Sequence, residues 1–581
     1  MHLLNPKKFA GDYPDQITRD VMLKTIDFFE GMGLKKIKAD YESRRWYTEF
    51  LEFNKREKIF ATILTPQGYG EGARWDSSRI TDFAEILGFY GLTYWYCFQV
   101  SALGLGPIFL GDNQALKKKA AQLLAEGEIF AFGLSEKEHG ADIYSSEMRL
   151  VPQPDGSYLA HGEKYYIGNG NKAAMVSTFG KIEGSDEYVF FVVNSQHEKY
   201  ECVKNVINNQ DYVAHYRLHD YPITDADITA RGQKAWDDSL NTINIMKFNL
   251  GFASIGISTH AFHEALDHAA NRKLFNHYVT DFVHIRQLFV DAYTRLTAMR
   301  LFANRATDYM RSASSEDRRY LLYNPMVKMK VTTQGEEVVN LLWDVIAAKG
   351  FEKDMYFENA ALDIRALPKL EGTVHVNMAL IVKFMANYFF KPASFNDVPL
   401  RRDAANDDFL FNQGATKGLG KTRFHDYRIA FNSCSLSNVQ VFKKQVSTFR
   451  RMLMLARPNK EQVKDIDFLL ITGELFTLVA YAQLLLESWQ KKSLDNDLMD
   501  QIFDFMVRDF SKYALQLYSK TASTGLQQLF CKRMLRKPVV DEQRFNRVWN
   551  EFVYAKKGSY TMNPGEGSVG NGTNDKVHAI A

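Results

Sequence analysis

The sequence predicts a mostly helical α+β protein, with a central sheet region between helical regions. Three observations predict this. Residues 14–130 place apolar side chains at helical spacing. From about Glu128 to Ile223 the chain becomes strand-like, with no helical stretches between the strands. From about Leu240 long helical periodicity returns.

In the first region Asp15 is placed to cap a helix carrying Ile17, Val21, Met22, Ile26 and Phe29. Residues 83–91 and 115–126 continue the pattern. The strand-like pieces are 146–151, 157–161, 174–181 and 188–194, and Pro154-Asp-Gly156 marks a turn between two of them. Without crossover helices an antiparallel sheet or barrel is expected, not a parallel one. Helices are then expected over 243–272, 279–310, 332–349 and from Thr373 to Phe390. Residues 391–427 are richer in Asp, Asn, Gly and charge and read as a linker. The expected units are thus 1–128 (helical), 129–235 (sheet), 236–390 (helical bundle), 391–427 (linker), 428–556 (helical extension) and 557–581 (extended or disordered tail).

The chain has 581 residues, and single cores stop growing near about 250–300 residues, so several domains are expected. Apolar residues make up 46% and charged residues 24%, as in soluble globular proteins. A net charge of +3 gives no electrostatic case for nucleic acid as a partner. Cys97, Cys202, Cys434 and Cys531 lie far apart and form no C-x-x-C, which suits a reducing compartment and suggests no metal site. The N-terminal residues show no apolar stretch of signal-peptide length, so a cytoplasmic location is expected.

Residues 466–489 are long and apolar enough to raise a membrane span. Glu474 within the stretch and charges on both flanks favour a buried bundle helix. Gly565-Glu-Gly-Ser-Val-Gly570 is a formal G-x-G-x-x-G, but it lacks the flanking strand and helix that a dinucleotide site needs. Asn571-Gly-Thr573 is a formal glycosylation sequon and carries no argument without a secretion signal.

The chemistry-bearing segments are Ala131-Phe-Gly-Leu-Ser-Glu-Lys-Glu-His-Gly-Ala-Asp142, His161-Gly-Glu-Lys-Tyr-Tyr-Ile-Gly-Asn-Gly170 and Leu370-Glu-Gly-Thr373. Together they resemble the acyl-CoA dehydrogenase family over roughly residues 60–390. Leu134, Glu136, Gly140 and Asp142 match its first motif; Gly162, Lys164, Ile167, Asn169 and Gly170 match its second. The resemblance implies a helical domain, a sheet domain and a C-terminal four-helix bundle, with FAD as cofactor and an acyl-CoA as substrate. It implies removal of an α-proton by a carboxylate and of the β-hydrogen as hydride to the flavin, in the manner of fatty-acid β-oxidation.

Glu371 occupies the place of the family's E-G-T base. Taken alone, a carboxylate at a helix start more often serves the helix dipole. A few relatives place the base earlier, at the position of Met246, which cannot accept a proton. The resemblance places Phe132, Leu134, Ser135, Tyr166, Ile167 and Gly168 near the flavin ring, Gly140 and Ala141 near phosphate, and Thr373 and His375 beside the cofactor. Ala141, Met246, Lys247 and Gly372 fall on the substrate side. Lys247 stands for a family Arg and reads equally as a solvated helix lysine. Gly168 stands for a Thr whose hydroxyl reaches the flavin, so a backbone N–H or a water is expected to substitute. Arg272 and Phe275, with Asp344 and Ala348, fall on segments that in relatives meet the cofactor of a neighbouring subunit, which implies a dimer.

The resemblance also implies an electron-transfer flavoprotein or similar acceptor. The extension resembles that of very-long-chain members, and its basic, apolar segment 441–455 suits peripheral contact with a membrane. Every matched motif precedes Phe390, so a chain cut near residue 395 is expected to keep its flavin chemistry if it folds. Other readings are a flavin monooxygenase or oxidase of the same fold, a dehydrogenase of carrier-protein-tethered acyl groups, and a non-catalytic FAD-binding scaffold.

Overall fold

Asp15 opens the first long helix, Gln16–Glu42, by accepting the Thr18 N–H. The structure, a computed structural model, describes residues 3–416 and 418–565. Gly33, at φ +76, breaks the regular turn of that helix. The break frees the N–H groups of Leu34 and Lys35, which donate to the carbonyls of Asn563 and Pro564 at 2.8 and 3.1 Å. The described part of the tail is therefore extended and docked; residues 566–581, with most of the G-x-G-x-x-G and the whole sequon, lie outside the described residues.

The N-terminal region centres on the helix Leu92–Leu110, buried along nearly its whole length. A Cβ on Gly104 of this helix would come 2.6 Å from the carbonyl oxygen of Ala131. Only glycine lets helix and strand backbones approach so closely, and this contact ties the helical region to the sheet.

The eight strands are β1 (Phe130–Gly133), β2 (Arg149–Pro152), β3 (Tyr158–Gly168), β4 (Met175–Ile182), β5 (Tyr188–Val193), β6 (Tyr200–Asn205), β7 (Val213–Ile223) and β8 (Ile228–Arg231). They form one sheet in the order β6-β7-β3-β2-β4-β5-β8, with β1 beside β4. The path has two ends, so the sheet is not a closed barrel. Most pairs are antiparallel, but β4 pairs in parallel with β1 and β2, against expectation. The chain returns from β1 to β4 through β2 and β3, so a loop and a hairpin make the crossover that a helix makes elsewhere. β3 runs on to Gly168, which places the second motif on a strand up to that residue, with Asn169 and Gly170 in the turn that follows.

Beyond β8 the helices Asn249–Asn271, Val283–Arg311, Thr332–Ile346 and Tyr356–Ala366 pack on one another. Residues 391–427 act as a strap. The Arg305 guanidinium donates to Val398 O at 2.8 Å, Arg311 donates to Asp407 at 3.0 Å, and Asn406 accepts the Trp75 N–H at 2.7 Å. The strap thereby joins the N-terminal region to the bundle.

The extension contains Ser437–Leu455, Ile466–Lys492 and Asn496–Ser519. Ile466–Lys492 is long and apolar enough to cross a membrane, yet 78% of its most apolar window is buried. It packs on Val283–Arg311 and on Val374–Ile381. Arg295 makes a two-pronged pair with Asp509 at 2.7 and 2.9 Å, both side chains buried.

Removing one partner of a buried pair strands the other charge. Asp509→Ala is expected to cost about 3–5 kcal/mol, read as a lowered midpoint in urea unfolding of the full-length chain. Truncation near residue 395 removes Ile466–Lys492 and uncovers the bundle face it buries. The truncated chain is expected to aggregate, and size-exclusion chromatography after expression checks this.

Candidate active site

Glu371 lies in the turn between Tyr356–Ala366 and the helix Val374–Ile381, whose N-cap is Thr373. Its carboxylate meets the fully buried Gln99. The Gln99 amide nitrogen lies 2.9 and 3.1 Å from the two carboxylate oxygens and 3.1 Å from Met246 O. Asn249 in turn donates to Gln99 Oε1 at 3.2 Å. A hydrogen-bonded chain thus runs from the start of the Asn249–Asn271 helix through Leu92–Leu110 to Glu371.

Burial pushes the Glu371 carboxyl up to about 7, against the Gln99 hydrogen bond and the charges of Lys328 and Lys247. Burial brings Lys247 down to about 8, with Glu371 the charge that favours its ammonium form. Lys247 is 5% exposed, which rules out the solvated-lysine reading. Met246 is buried beside it and contributes its carbonyl, not its side chain, to Gln99.

Gly168 ends β3 against Tyr96. A Cβ there would lie 2.8 Å from both the ring and the hydroxyl oxygen of Tyr96. Tyr96, which stands one helical turn before Gln99, thus fills the space beside Gly168. Tyr96 also senses the charge of Glu371. Sequence reading missed Tyr96 and Gln99, because both sit in an apolar helix with no motif. Their partners lie far along the chain, 272 residues away for Gln99 and Glu371.

The first two motifs serve largely as framework. Glu136 accepts from Lys164 at 2.7 Å, from Ser146 Oγ at 2.6 Å and from the Glu147 N–H at 2.7 Å. Burial opposes its charge, but Lys164 and these donors hold its carboxyl below the usual range. Glu136, His139 and Glu147 bring possible ligand atoms within 4.8 Å of one another, yet Lys164 already neutralises Glu136. Asn169 donates to Cys97 O at 3.1 Å, Ser101 Oγ at 3.2 Å and Phe130 O at 3.1 Å. Ser135 gives its hydroxyl to Tyr165 O at 2.7 Å, so that hydroxyl is committed within the sheet. Phe132 stacks on Phe190, Leu134 packs beside it, and Ile167 is buried.

Other expected residues face outward. Tyr166, at φ +64, is 62% exposed. Gly140 has no atom within 4 Å of a built Cβ, and Ala141, Thr373 and His375 are exposed. Arg272 and Phe275 sit on a hairpin at the far end of Asn249–Asn271 from Lys247. That helix has 23 residues, a span of roughly 33 Å at helical rise. Phe275 is 88% exposed. Burial lowers the His268 imidazole, and the charges of Arg272 and of Lys349, from the turn that carries Ala348, lower it further. Asp344 lies one turn before, near the end of Thr332–Ile346.

Residues 234–386 match the family model "Acyl-CoA dehydrogenase, C-terminal domain". A 3-(aryl)acrylate reductase of Clostridium sporogenes is 23% identical over 334 residues, covering 55% of this chain and 86% of that protein. The very long-chain specific acyl-CoA dehydrogenase of Bos taurus is 25% identical over 318 residues, covering 51% of this chain and 47% of its own. A Bacillus anthracis acyl-CoA dehydrogenase complexed with FAD shares the fold with a TM-score of 0.72 and 14% identity, over 95% of this chain and 97% of that one.

The Gln99 donor favours the ionised carboxylate. Replacing it in Gln99→Leu is expected to move the Glu371 titration upward from about 7. Carbon-13 NMR of labelled glutamates, with Glu371→Gln as the assignment control, measures this. Residues 234–386 thus carry the match to the acyl-CoA dehydrogenase C-terminal domain, and over nearly its whole length the chain has the fold of a solved acyl-CoA dehydrogenase.

Proposed function

We propose that this chain is an FAD-dependent oxidoreductase acting across the Cα–Cβ bond of an acyl-CoA thioester, and that it oxidises the acyl group to the trans-2-enoyl product. The observation that carries this is the Glu371 carboxyl, raised to about 7 and held by Gln99. A base for a weakly acidic C–H needs a proton affinity near the working pH and a position shielded from water. Lys247 and Lys328 place positive charge beside the negative charge that develops on the thioester oxygen as the α-proton leaves.

The residues fit FAD. Tyr166 presents an exposed ring at the end of β3, and Tyr144 presents another, stacked on Trp236 at 4.8 Å. Gly140 leaves room for a close phosphate, and the N-terminus of Val374–Ile381, with Thr373 and His375, offers its positive dipole end. Tyr96 supplies a hydroxyl at the place left by Gly168. Bound there, FAD supplies the acceptor for the β-hydride.

A second reading has one specific observation behind it. The Clostridium relative is named a reductase, and a carboxyl near 7 populates both forms at neutral pH. The protonated form can return a proton to the α-carbon, so the same residues serve enoyl reduction by microscopic reversibility.

Leu274, Phe275 and Phe351 are exposed apolar side chains on the segments expected to meet a neighbouring subunit, which suits a dimer. An electron-transfer flavoprotein or similar acceptor takes the electrons, and a cytoplasmic setting suits the free cysteines. Met454 and Leu455 stand exposed on the same helix as Arg450 and Arg451, which suits peripheral contact with an anionic membrane.

Glu371→Gln keeps the shape and removes the base. The variant is expected to stay FAD-loaded and to bind acyl-CoA, while anaerobic flavin reduction falls by about 10²–10⁴-fold. Stopped-flow absorbance measures this, and wild-type bleaching in the variant would refute the assignment. In the unaltered protein the reduction rate is expected to rise with pH through about 7 as Glu371 ionises.

A further inference from the structure

The turn carrying Glu371 is bent in a way its sequence disfavours. Glu371 has φ +51 and Gly372 has φ +89. Glycine takes such angles freely, whereas a glutamate holds them only where its surroundings impose them. Two carbonyls of this turn meet one ammonium. Lys328 Nζ donates to Pro368 O at 2.7 Å and to Gly372 O at 2.6 Å, on either side of Glu371. Asn377 shares the Gly372 carbonyl at 3.0 Å.

Lys328 has no exposed surface. It rises from a wide π-helical turn, Val327–Val331, set between two α-helices. Such turns recur at functional sites, where they re-aim side chains. The Thr332 hydroxyl donates to the Lys328 carbonyl at 2.5 Å, which fixes the root of the side chain.

We propose that Lys328 is a positioning residue for the base: one ammonium clamps the carbonyls on both sides of Glu371, and so fixes where that carboxylate sits and how readily it ionises. This rests on the reading of Glu371 as the base. Burial lowers Lys328 to about 7, and the charges facing it are Glu371, Lys247 and Lys369. Lys369 is already paired with Glu336 at 2.5 Å. A charged donor makes the stronger hydrogen bond, so the clamp weakens as Lys328 loses its proton. Removing the charge also removes a force that favours the Glu371 carboxylate.

The test uses full-length, FAD-loaded protein and tert-butylacetyl-CoA in deuterated water. This thioester has α-hydrogens but a quaternary β-carbon, so it gives up no hydride. Deuterium entry at the α-carbon, followed by mass spectrometry, reports the base alone. Unaltered protein is expected to catalyse exchange. Lys328→Met is expected to stay FAD-loaded and to exchange the thioester about a hundredfold more slowly. The acid limb of its pH profile is expected to move upward. Lys328→Ala is expected to regain exchange on addition of methylammonium, which restores a cation in the vacated space.

A Met variant with the wild-type rate and profile overturns the proposal. If the Met variant does not load FAD, the Ala variant decides: recovery with methylammonium supports the clamp, and no recovery overturns it. Absence of exchange in the unaltered protein, equal to that of Glu371→Gln, overturns the base assignment itself and the clamp with it.

Discussion

The site depends on one cost, the partial withdrawal of the half-buried Glu371 carboxylate from water. In solvent a glutamate is too weak a base to trouble a thioester C–H. Burial raises its proton affinity, and unopposed burial would leave it protonated and idle. Gln99, Lys328 and Lys247 supply the opposing force. The charges sum simply: one carboxylate against two ammonium groups leaves +1 when all three are ionised. On the proposed reaction, proton transfer would leave Glu371 neutral beside two ammonium groups, which would favour the negative charge left on the substrate. The residues that would make Glu371 available as a base would then also favour its product.

This balance needs a rigid support, and the helix Leu92–Leu110 provides it. At its N-terminus the Leu92 N–H donates to Asp363 at 3.3 Å and the Thr93 hydroxyl to Asp211 at 2.5 Å. Burial raises these carboxyls to about 7 and about 6, and each one that ionises meets the positive end of the helix. In its middle, Asn169 binds the Cys97 carbonyl and Ser101; toward its end, Gly104 seats it on β1. Tyr96 and Gln99 therefore project from a helix fixed at three heights.

Much of this was legible in the sequence, and the part that was not has a physical reason. The order of helix, sheet and helix could be read from hydrophobic periodicity, which is local. Glu371, Tyr166 and Gly168 could be found because they lie within contiguous motifs. Gln99 could not: its neighbours are Phe98 and Val100, and nothing local separates a buried glutamine that meets a carboxylate from one that fills a core. Lys328 lies in no motif and between the expected helices 279–310 and 332–349, and only the fold sets its ammonium between Pro368 and Gly372. Of the expected sheet or barrel the structure has the sheet, and two parallel pairs interrupt its antiparallel order for a related reason. The sequence shows that no helix joins the strands, but not that a hairpin can make the crossover.

The motif residues carry a lesson about what family resemblance encodes. Lys164 and Glu136 form a buried pair, and breaking such a pair strands a charge. The Asn169 amide ties together the Cys97 and Phe130 carbonyls and the Ser101 hydroxyl. These side chains are needed for the sheet to sit on its helix, whatever reaction follows. They mark the fold strongly and the direction of the chemistry hardly at all. What distinguishes oxidation of a saturated thioester from reduction of an unsaturated one is the proton affinity of Glu371 set against the electron affinity of the cofactor. The residues placed to adjust those two quantities, Gln99, Lys328 and Tyr96, lie outside every motif. On the proposed reading, a substitution at such a position would alter the reaction while leaving the recognisable sequence in place.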